Sequence, residues 1–226
     1  MNTIMANGTI NRGNLERLKR CMKQTDTKGR LTAGFIGGSI TQGSAASKDR
    51  FCYAARVAGW WRNKFPHADI TYINAGIGAT TSQFGAARAE EDLLKYKPDF
   101  VIVEFSVNDN DEAPFARREL FRETYEGLVR RIYKSDWKPA VVLVHNVRYN
   151  DGSSEEKMHA QIGRFYNLPC ISIRETLYPL VADGSILARE ITPDDLHPND
   201  EGHRLVAESI NRFLESVYEK KDEPEE

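Results

Sequence analysis

The chain alternates short apolar segments with longer amphipathic ones five times, and this alternation limits the fold more than any other feature. The short segments lie at 31–37, 70–75, 100–105, 140–145 and 170–173. They are apolar on both sides, as strands covered on both faces are. Because helical periodicity follows each of them, the pattern predicts parallel strands joined by helical crossovers. We therefore expect an α/β fold, a flavodoxin-like three-layer α/β/α sandwich around a five-stranded parallel sheet.

The predicted helices differ in how they meet this sheet. They cover 51–65, 82–97, 119–133, 154–167 and 199–219, and a further helix at 14–24 is expected to lean on one edge. In the helix at 82–97 we expect Phe84 and Ala87 to face the core and Arg88 to face water.

The expected organisation is a single domain. It covers residues 1–219, with 1–30 as an N-terminal extension that carries a helix. The charged residues 220–226 are expected to form a frayed tail or a linker.

Length and composition exclude several classes of function. The 226 residues suit one core, and the net charge of −2 without a basic cluster disfavours nucleic acid as a partner. No apolar segment approaches the ~20 residues that a membrane span needs. The polar residues 1–12 lack the apolar region of a secretory signal, so we expect a cytoplasmic protein, or a secreted one if a leader was removed. Three widely spaced cysteines, Cys21, Cys52 and Cys170, are expected to be free and buried.

Polar or glycine-rich segments follow the first three predicted strands at their carboxyl ends, where parallel sheets bind ligands. The first, GGSITQG, places Ser39 after two glycines, the second is NAGIGATTS, and the third, SVND, contains Asn108. A fourth segment, TPDDLHP, lies just before the last helix and contains Asp194 and His197. We expect all four to meet at one rim of the sheet.

Residues of this rim match the requirements of a serine nucleophile. An ester-cleaving serine needs a base to take its proton and a carboxylate to orient that base. His197 can accept the proton of Ser39, and Asp194, three residues earlier, can reach the other imidazole nitrogen. Asp195 is the alternative for the carboxylate.

The same rim contains donors for an oxyanion hole. The backbone N–H of Ser39, the N–H of a glycine in NAGIG and the side-chain amide of Asn108 can point at a developing negative charge. Either Gly76 or Gly78 can supply the glycine N–H.

At these residues the chain resembles the SGNH hydrolases, also called GDSL-like hydrolases, whose four motif blocks carry Ser, Gly, Asn and His. The resemblance spans residues 34–207. Gly38 stands where the family usually has Asp, and this variant is similar to a subgroup rich in carbohydrate acetylesterases. The resemblance favours Gly78 as the oxyanion glycine, because the family glycine usually precedes a Ser or Thr by two residues and Thr80 fits. Ser106 departs from the family's common Gly in the third block.

The resemblance implies a serine esterase that hydrolyses acyl esters, above all O-acetyl esters of carbohydrates, through an acyl-enzyme. Ser39, His197 and Asp194 would form the triad, with Ser39, Gly78 and Asn108 as the oxyanion hole and without a cofactor or metal. The expected partner is a small-molecule or oligosaccharide ester, and neither nucleic acid nor a membrane. A homo-oligomer, or an additional carbohydrate-binding domain after the charged tail, stays open.

Two other functions compete with this interpretation. A lipase- or thioesterase-type acylhydrolase is disfavoured because no long exposed apolar segment offers a lid or an acyl groove. A non-catalytic sugar- or nucleotide-binding module would not require the Ser, Asn and Asp-x-x-His elements to occur together.

Several further polar residues have weaker expectations. Glu104 lies in an otherwise apolar strand, and because a buried carboxylate needs partners, we expect it to brace the site from beneath. His145 either lines the cleft or is structural, and His203 is a surface or packing residue. We expect His67 and His159 to face solvent.

Overall fold

A mostly parallel six-stranded sheet lies between two layers of helices in a computed structural model of the chain, which describes residues 8–110 and 115–224. The strands are β1 (Thr9–Asn11), β2 (Arg30–Gly37), β3 (Asp69–Gly76), β4 (Phe100–Glu104), β5 (Ala140–His145) and β6 (Cys170–Ser172). Their order across the sheet is β1-β6-β5-β4-β2-β3. Strands β2 to β6 are parallel to their neighbours, whereas β1 pairs antiparallel with β6.

The helices of the described residues follow the predicted pattern with some additions. They are α1 (Glu16–Lys28), α2 (Ser39–Gln42), α3 (Tyr53–Lys64), α4 (Ser82–Asp92), α5 (Phe115–Tyr133), α6 (Glu156–Phe165), α7 (Tyr178–Ala182), α8 (Ala188–Ile191) and α9 (Asp200–Glu219). The short helices α7 and α8 were not predicted, because one turn of helix leaves no periodic apolar pattern to recognise.

Alternate side chains of each central strand enter opposite cores. Phe35 and Ile102 pack with α1, α3 and α9 on one face, while Ile36 and Val103 pack with α4, α5 and α6 on the other. This alternation follows from the two-residue period of a strand. The α/β fold and its three layers are confirmed.

Two details of the predicted architecture are wrong. The sheet has a sixth strand, β1, whose three residues are too few to give a sequence signal. The N-terminal helix α1 does not lean on an edge but covers one face of the sheet, where Leu18 and Met22 are buried in the core.

The face of α4 that packs against the core also differs from the prediction. Phe84 is half exposed, whereas Arg88 is only 8% exposed. The Arg88 guanidinium donates to the carbonyl oxygen of Gly37 (3.1 Å) and pairs with Asp92 (3.0 Å). Burial of this arginine is tolerated because Asp92 balances its charge and the two acceptors take N–H groups from both of its terminal nitrogens.

The strand register brings the polar loops together. Gly37 of β2 lies beside Gly76 of β3 and beside Glu104 of β4, so the three strands end at one level. The rim predicted from the strand ends therefore forms as expected.

Three further observations concern the chain outside this rim. The three cysteines are free and buried, as predicted. Among the described residues, no helix is both long enough and apolar enough to cross a membrane. In the described part of the 220–226 tail, Asp222 and Glu223 contact Lys23 and Lys19 of α1. Residues 1–7 and 225–226 of the predicted extension and tail lie outside the described residues.

Candidate active site

Three side chains form a hydrogen-bonded chain at the rim. Ser39, the first residue of α2, has its Oγ 2.9 Å from His197 Nε2. The other ring nitrogen of His197, Nδ1, lies 2.6 Å from Asp194 Oδ2. Since an ionised carboxylate only accepts, Nδ1 carries the proton and Nε2 is left to accept the Ser39 hydroxyl proton. This is the geometry that a serine nucleophile with its base requires.

The loop before α9 places Asp194 rather than Asp195 on the imidazole. Asp194 Oδ1 accepts hydrogen bonds from the backbone N–H groups of Leu196 (3.1 Å) and His197 (2.7 Å). These bonds hold the carboxylate against the loop, with its other oxygen toward the imidazole. Although partial burial acts in the opposite direction, the hydrogen bonds from His197 lower the pKa of Asp194 to about 2. Asp195 has a left-handed backbone (φ +61°) and an exposed side chain, so its part in this loop is to turn the chain.

Gly38 lets the Asn108 side chain approach the nucleophile. A Cβ at position 38 would lie 2.3 Å from Asn108 Oδ1 and 3.2 Å from its Nδ2. A residue with any side chain would therefore displace the amide that we expect to act as an oxyanion donor. Gly38, in place of the family's usual Asp, therefore leaves room for the Asn108 amide beside the nucleophile.

This contact gives a prediction. Asn108→Ala is expected to lower kcat by on the order of 100–1000-fold, as expected for the loss of one oxyanion donor. Gly38→Ala is expected to lower it similarly, because the new methyl group pushes the amide away. Turnover of 4-nitrophenyl acetate by both variants and by the double variant measures this, and the two losses should not add. An Asn108→Ala effect below tenfold would contradict the role.

The two candidate oxyanion glycines are in different environments. Gly76 ends β3, donates its N–H to Asn74 Oδ1 (2.9 Å), and packs so closely on α2 that a Cβ would lie 2.1 Å from the Gln42 backbone nitrogen. A Cβ on Gly78 would lie 3.8 Å from Ser39 Cβ, but the Gly78 N–H donates to the Gln42 side-chain oxygen (2.8 Å). Gly78 can serve an oxyanion only when the Gln42 side chain turns away. Sequence reasoning missed Gln42, although it lies three residues after the serine.

A buried contact between Asp109 and His159 supports the loop that carries Asn108. The neighbouring Asp109 accepts the backbone N–H of Ser82 at the start of α4 (2.8 Å) and lies 3.0 Å from His159 Nε2. Both partners of the pair are fully buried, and the Tyr125 ring stacks on the imidazole at 3.5 Å. The expectation that His159 faces solvent is wrong. Its spacing from Ile162 on the same face of α6 was the available signal.

Glu104 occupies the position beneath the site that we expected. It is fully buried at the end of β4, and its Oε1 accepts the N–H and the hydroxyl of Ser106, each at 3.1 Å. Burial raises the pKa of Glu104 to about 7. His145 is also buried, at the end of β5, and its burial lowers its pKa well below the usual value, so a structural role fits it.

His203 is a packing residue that connects α9 to the segment after the nucleophile. It is fully buried; its Nδ1 accepts the Tyr53 N–H (3.2 Å), and its Nε2 lies 3.2 Å from the Ser44 carbonyl oxygen. The neutral ring with a proton on Nε2 satisfies both contacts. Burial lowers the pKa of His203 to about 4.

The shifted pKa of His203 predicts a pH-dependent stability. An unfolded histidine titrates near pH 6.5, so between about pH 6.5 and 4 the unfolded chain binds a proton here that the folded chain does not. Stability should therefore fall by about 2–3 kcal/mol as the pH drops through this window, with no contribution above it. Urea unfolding at pH 7 and pH 4.5 measures this in the wild type and in His203→Asn, which keeps an acceptor for Tyr53 but does not titrate. An equal fall in both proteins would contradict the prediction.

A small cavity of about 200 Å³ opens beside the nucleophile. It is lined by Ser39, Val107, Asn108, Asn110, Arg148 and Leu196. Its lining therefore combines two amides and one cation with two apolar side chains. Within 8–110 and 115–224, no group of three or more His, Cys, Asp or Glu residues could hold a metal ion.

Residues 35–205 match the GDSL-like Lipase/Acylhydrolase family, which is more than half of the chain. The chain belongs to this family. The resemblance that the four motifs indicated is thereby confirmed, and the family's acyl-ester chemistry agrees with the hydrogen-bonded Ser39 and His197.

Relatives of this GDSL-like protein include esterases of carbohydrates. A solved two-domain esterase active on acetylated mannans is 58% identical, with a TM-score of 0.89 over 94% of this chain. The chain spans 56% of the length of that protein. An acetylxylan esterase from Geobacillus stearothermophilus is 26% identical over 80% of this chain and 92% of its own length. Thioesterase 1/protease 1/lysophospholipase L1 from Escherichia coli (strain K12) is 21% identical over 80% of this chain and 82% of its own length.

Proposed function

We propose that this protein is a serine esterase that removes O-acetyl groups from carbohydrates. The hydrogen-bonded chain from Ser39 through His197 to Asp194 carries the proposal, since it supplies a nucleophile, a base and an orienting carboxylate at hydrogen-bond distances. The names of the mannan and xylan esterase relatives support acetylated carbohydrate as the substrate class.

The proposed reaction has two halves. His197 Nε2 takes the Ser39 proton while Oγ attacks the acetyl carbonyl carbon. The Ser39 N–H and the Asn108 amide then hold the oxyanion, and the Gly78 N–H joins them once the Gln42 side chain has turned away. The tetrahedral intermediate then breaks its bond to the sugar oxygen, which takes the proton from His197 and leaves as the free alcohol. Water attacks the acetyl-enzyme by the same route, releasing acetate and restoring Ser39.

The dimensions of the cavity support a short acyl group. Its volume of about 200 Å³ is below the ~300 Å³ at the lower end of common ligand pockets. Of the described residues that line the cavity, Val107 and Leu196 are the only apolar ones, and so small an apolar surface suits an acetyl methyl better than a long chain.

Acyl-chain and polymer panels test the proposal. We expect kcat/KM for 4-nitrophenyl acetate to exceed that for the octanoate by roughly tenfold or more, because each methylene that does not fit costs binding energy. Acetate release from acetylated mannan, xylan and pectin fragments then identifies the carbohydrate. An octanoate preference would favour the lipid or thioester acylhydrolase instead, and binding of acetylated fragments without any acetate release would favour the non-catalytic module.

A further inference from the structure

The loop after β5 places an arginine at the nucleophile. Arg148 lines the same cavity as Ser39 and Asn108, and among the described residues it is the only charged one in that lining. Its guanidinium makes no hydrogen bond or ion pair within the part of the chain that the structure describes. Asp151 interacts with it electrostatically but does not form a close ion pair. A guanidinium that faces a binding cavity with its N–H donors unused can donate them to a ligand.

The backbone around Arg148 is held in place on both sides. Its own N–H donates to the Ser153 carbonyl oxygen (3.0 Å), and its carbonyl oxygen accepts the N–H of Gly152 (2.9 Å). The next residue, Tyr149, is buried in the core, and its N–H donates to the carbonyl oxygen of Asp195 (2.7 Å). This hydrogen bond connects the Arg148 loop to the loop that carries Asp194 and His197. The backbone of Arg148 is therefore held in a fixed position relative to the site.

From these contacts we infer that Arg148 is a specificity-determining residue, which binds two adjacent oxygens of the sugar that carries the acetyl group. This inference rests on the proposed function. A guanidinium is always charged, and its planar fork of N–H groups donates two parallel hydrogen bonds to a pair of oxygens. Neighbouring hydroxyls of a pyranose present such a pair on the alcohol side of the ester.

The remaining lining explains why Arg148 acts on the sugar and not on the reacting carbonyl. The oxyanion already has donors in the Ser39 N–H and the Asn108 amide. The apolar Val107 and Leu196 suit the acetyl methyl group. Arg148 and Asn110 are left as the polar groups that can bind the alcohol half of the substrate.

Comparing an ester with and without a sugar tests the inference. For Arg148→Gln, we expect kcat/KM on an acetylated manno-oligosaccharide to fall by about 10–100-fold, mainly through KM, as expected when a charged hydrogen bond is lost. Turnover of 4-nitrophenyl acetate, which has no hydroxyls to bind, should change by less than about threefold. Arg148→Lys should recover part of the loss, because it restores the charge but not the fork.

A matched control and a second substrate separate the outcomes. Arg164→Gln makes the same change at an exposed position at the end of α6 and should leave both activities unchanged. An equal loss on both substrates, or no loss on either, would overturn the role of Arg148 while leaving the esterase assignment in place. A loss confined to oligosaccharides that carry a uronic acid would overturn it too, since the fork would then bind a carboxylate. If the wild type cleaves 4-nitrophenyl acetate but releases no acetate from any carbohydrate, the proposed substrate class fails, and the inference with it.

Discussion

Ser39→Ala is expected to lower turnover of an acetate ester by on the order of 10⁴–10⁶-fold, the range seen when a triad nucleophile is removed. The Ser39 hydroxyl lies 2.9 Å from His197 Nε2, and among the described residues no other side-chain hydroxyl forms a hydrogen bond with that nitrogen. Hydrolysis of 4-nitrophenyl acetate, together with thermal unfolding to verify the fold, measures the effect.

Ser44→Ala is the matched control for this variant. Ser44 follows α2 closely, and only its backbone carbonyl contacts His203, so the loss of its hydroxyl should leave turnover unchanged. If Ser39→Ala retained more than a tenth of wild-type activity with its fold intact, Ser39 would not be the nucleophile.

The second large effect is expected at the carboxylate. Asp194→Ala should lower kcat by on the order of 10³–10⁴-fold, because His197 loses the acceptor that fixes its tautomer and stabilises its positive charge during the reaction. The low pKa of Asp194, about 2, means that this carboxylate is ionised across the working pH range. Steady-state kinetics on 4-nitrophenyl acetate at pH 7 measures the loss.

Asp195→Gly distinguishes the two aspartates. Glycine adopts the left-handed backbone of position 195 without strain, so this variant removes the carboxylate and keeps the turn. We expect nearly wild-type kcat for it. If Asp195→Gly lost as much activity as Asp194→Ala, the assignment of Asp194 as the carboxylate that orients His197 would be wrong.

The parallel sheet and the meeting of the polar loops were predictable because both depend on local patterns. Strands buried on two faces are apolar throughout, and the carboxyl ends of parallel strands share one edge of the sheet. Ser39 and Asn108 follow two such strands directly, and the short Asp194-x-x-His197 spacing brings those two side chains together within one turn of a loop. These positions needed no information about distant packing.

Other features depend on pairs of residues that are far apart in the sequence. His159 contacts Asp109, 50 residues earlier, and its spacing from Ile162 on α6 can indicate the buried face but not this distant partner. Arg88 points inward because the Gly37 carbonyl oxygen accepts from it. The Gln42 side-chain oxygen accepts the Gly78 N–H, although the two residues are 36 positions apart in the sequence.

The parallel strands β2 to β6, their common rim and the four polar motifs could be predicted from the sequence, since each of these rests on periodicity or on spacing within a few residues. The tertiary structure alone decided three features of the site. The Gln42 side-chain oxygen accepts the Gly78 N–H, Gly38 gives Asn108 its room, and Arg148 joins the cavity of Ser39. The physical reason is the same in each case: hydrogen bonds and steric contacts act over a few ångströms in space, and only the folded chain sets which residues come within that distance.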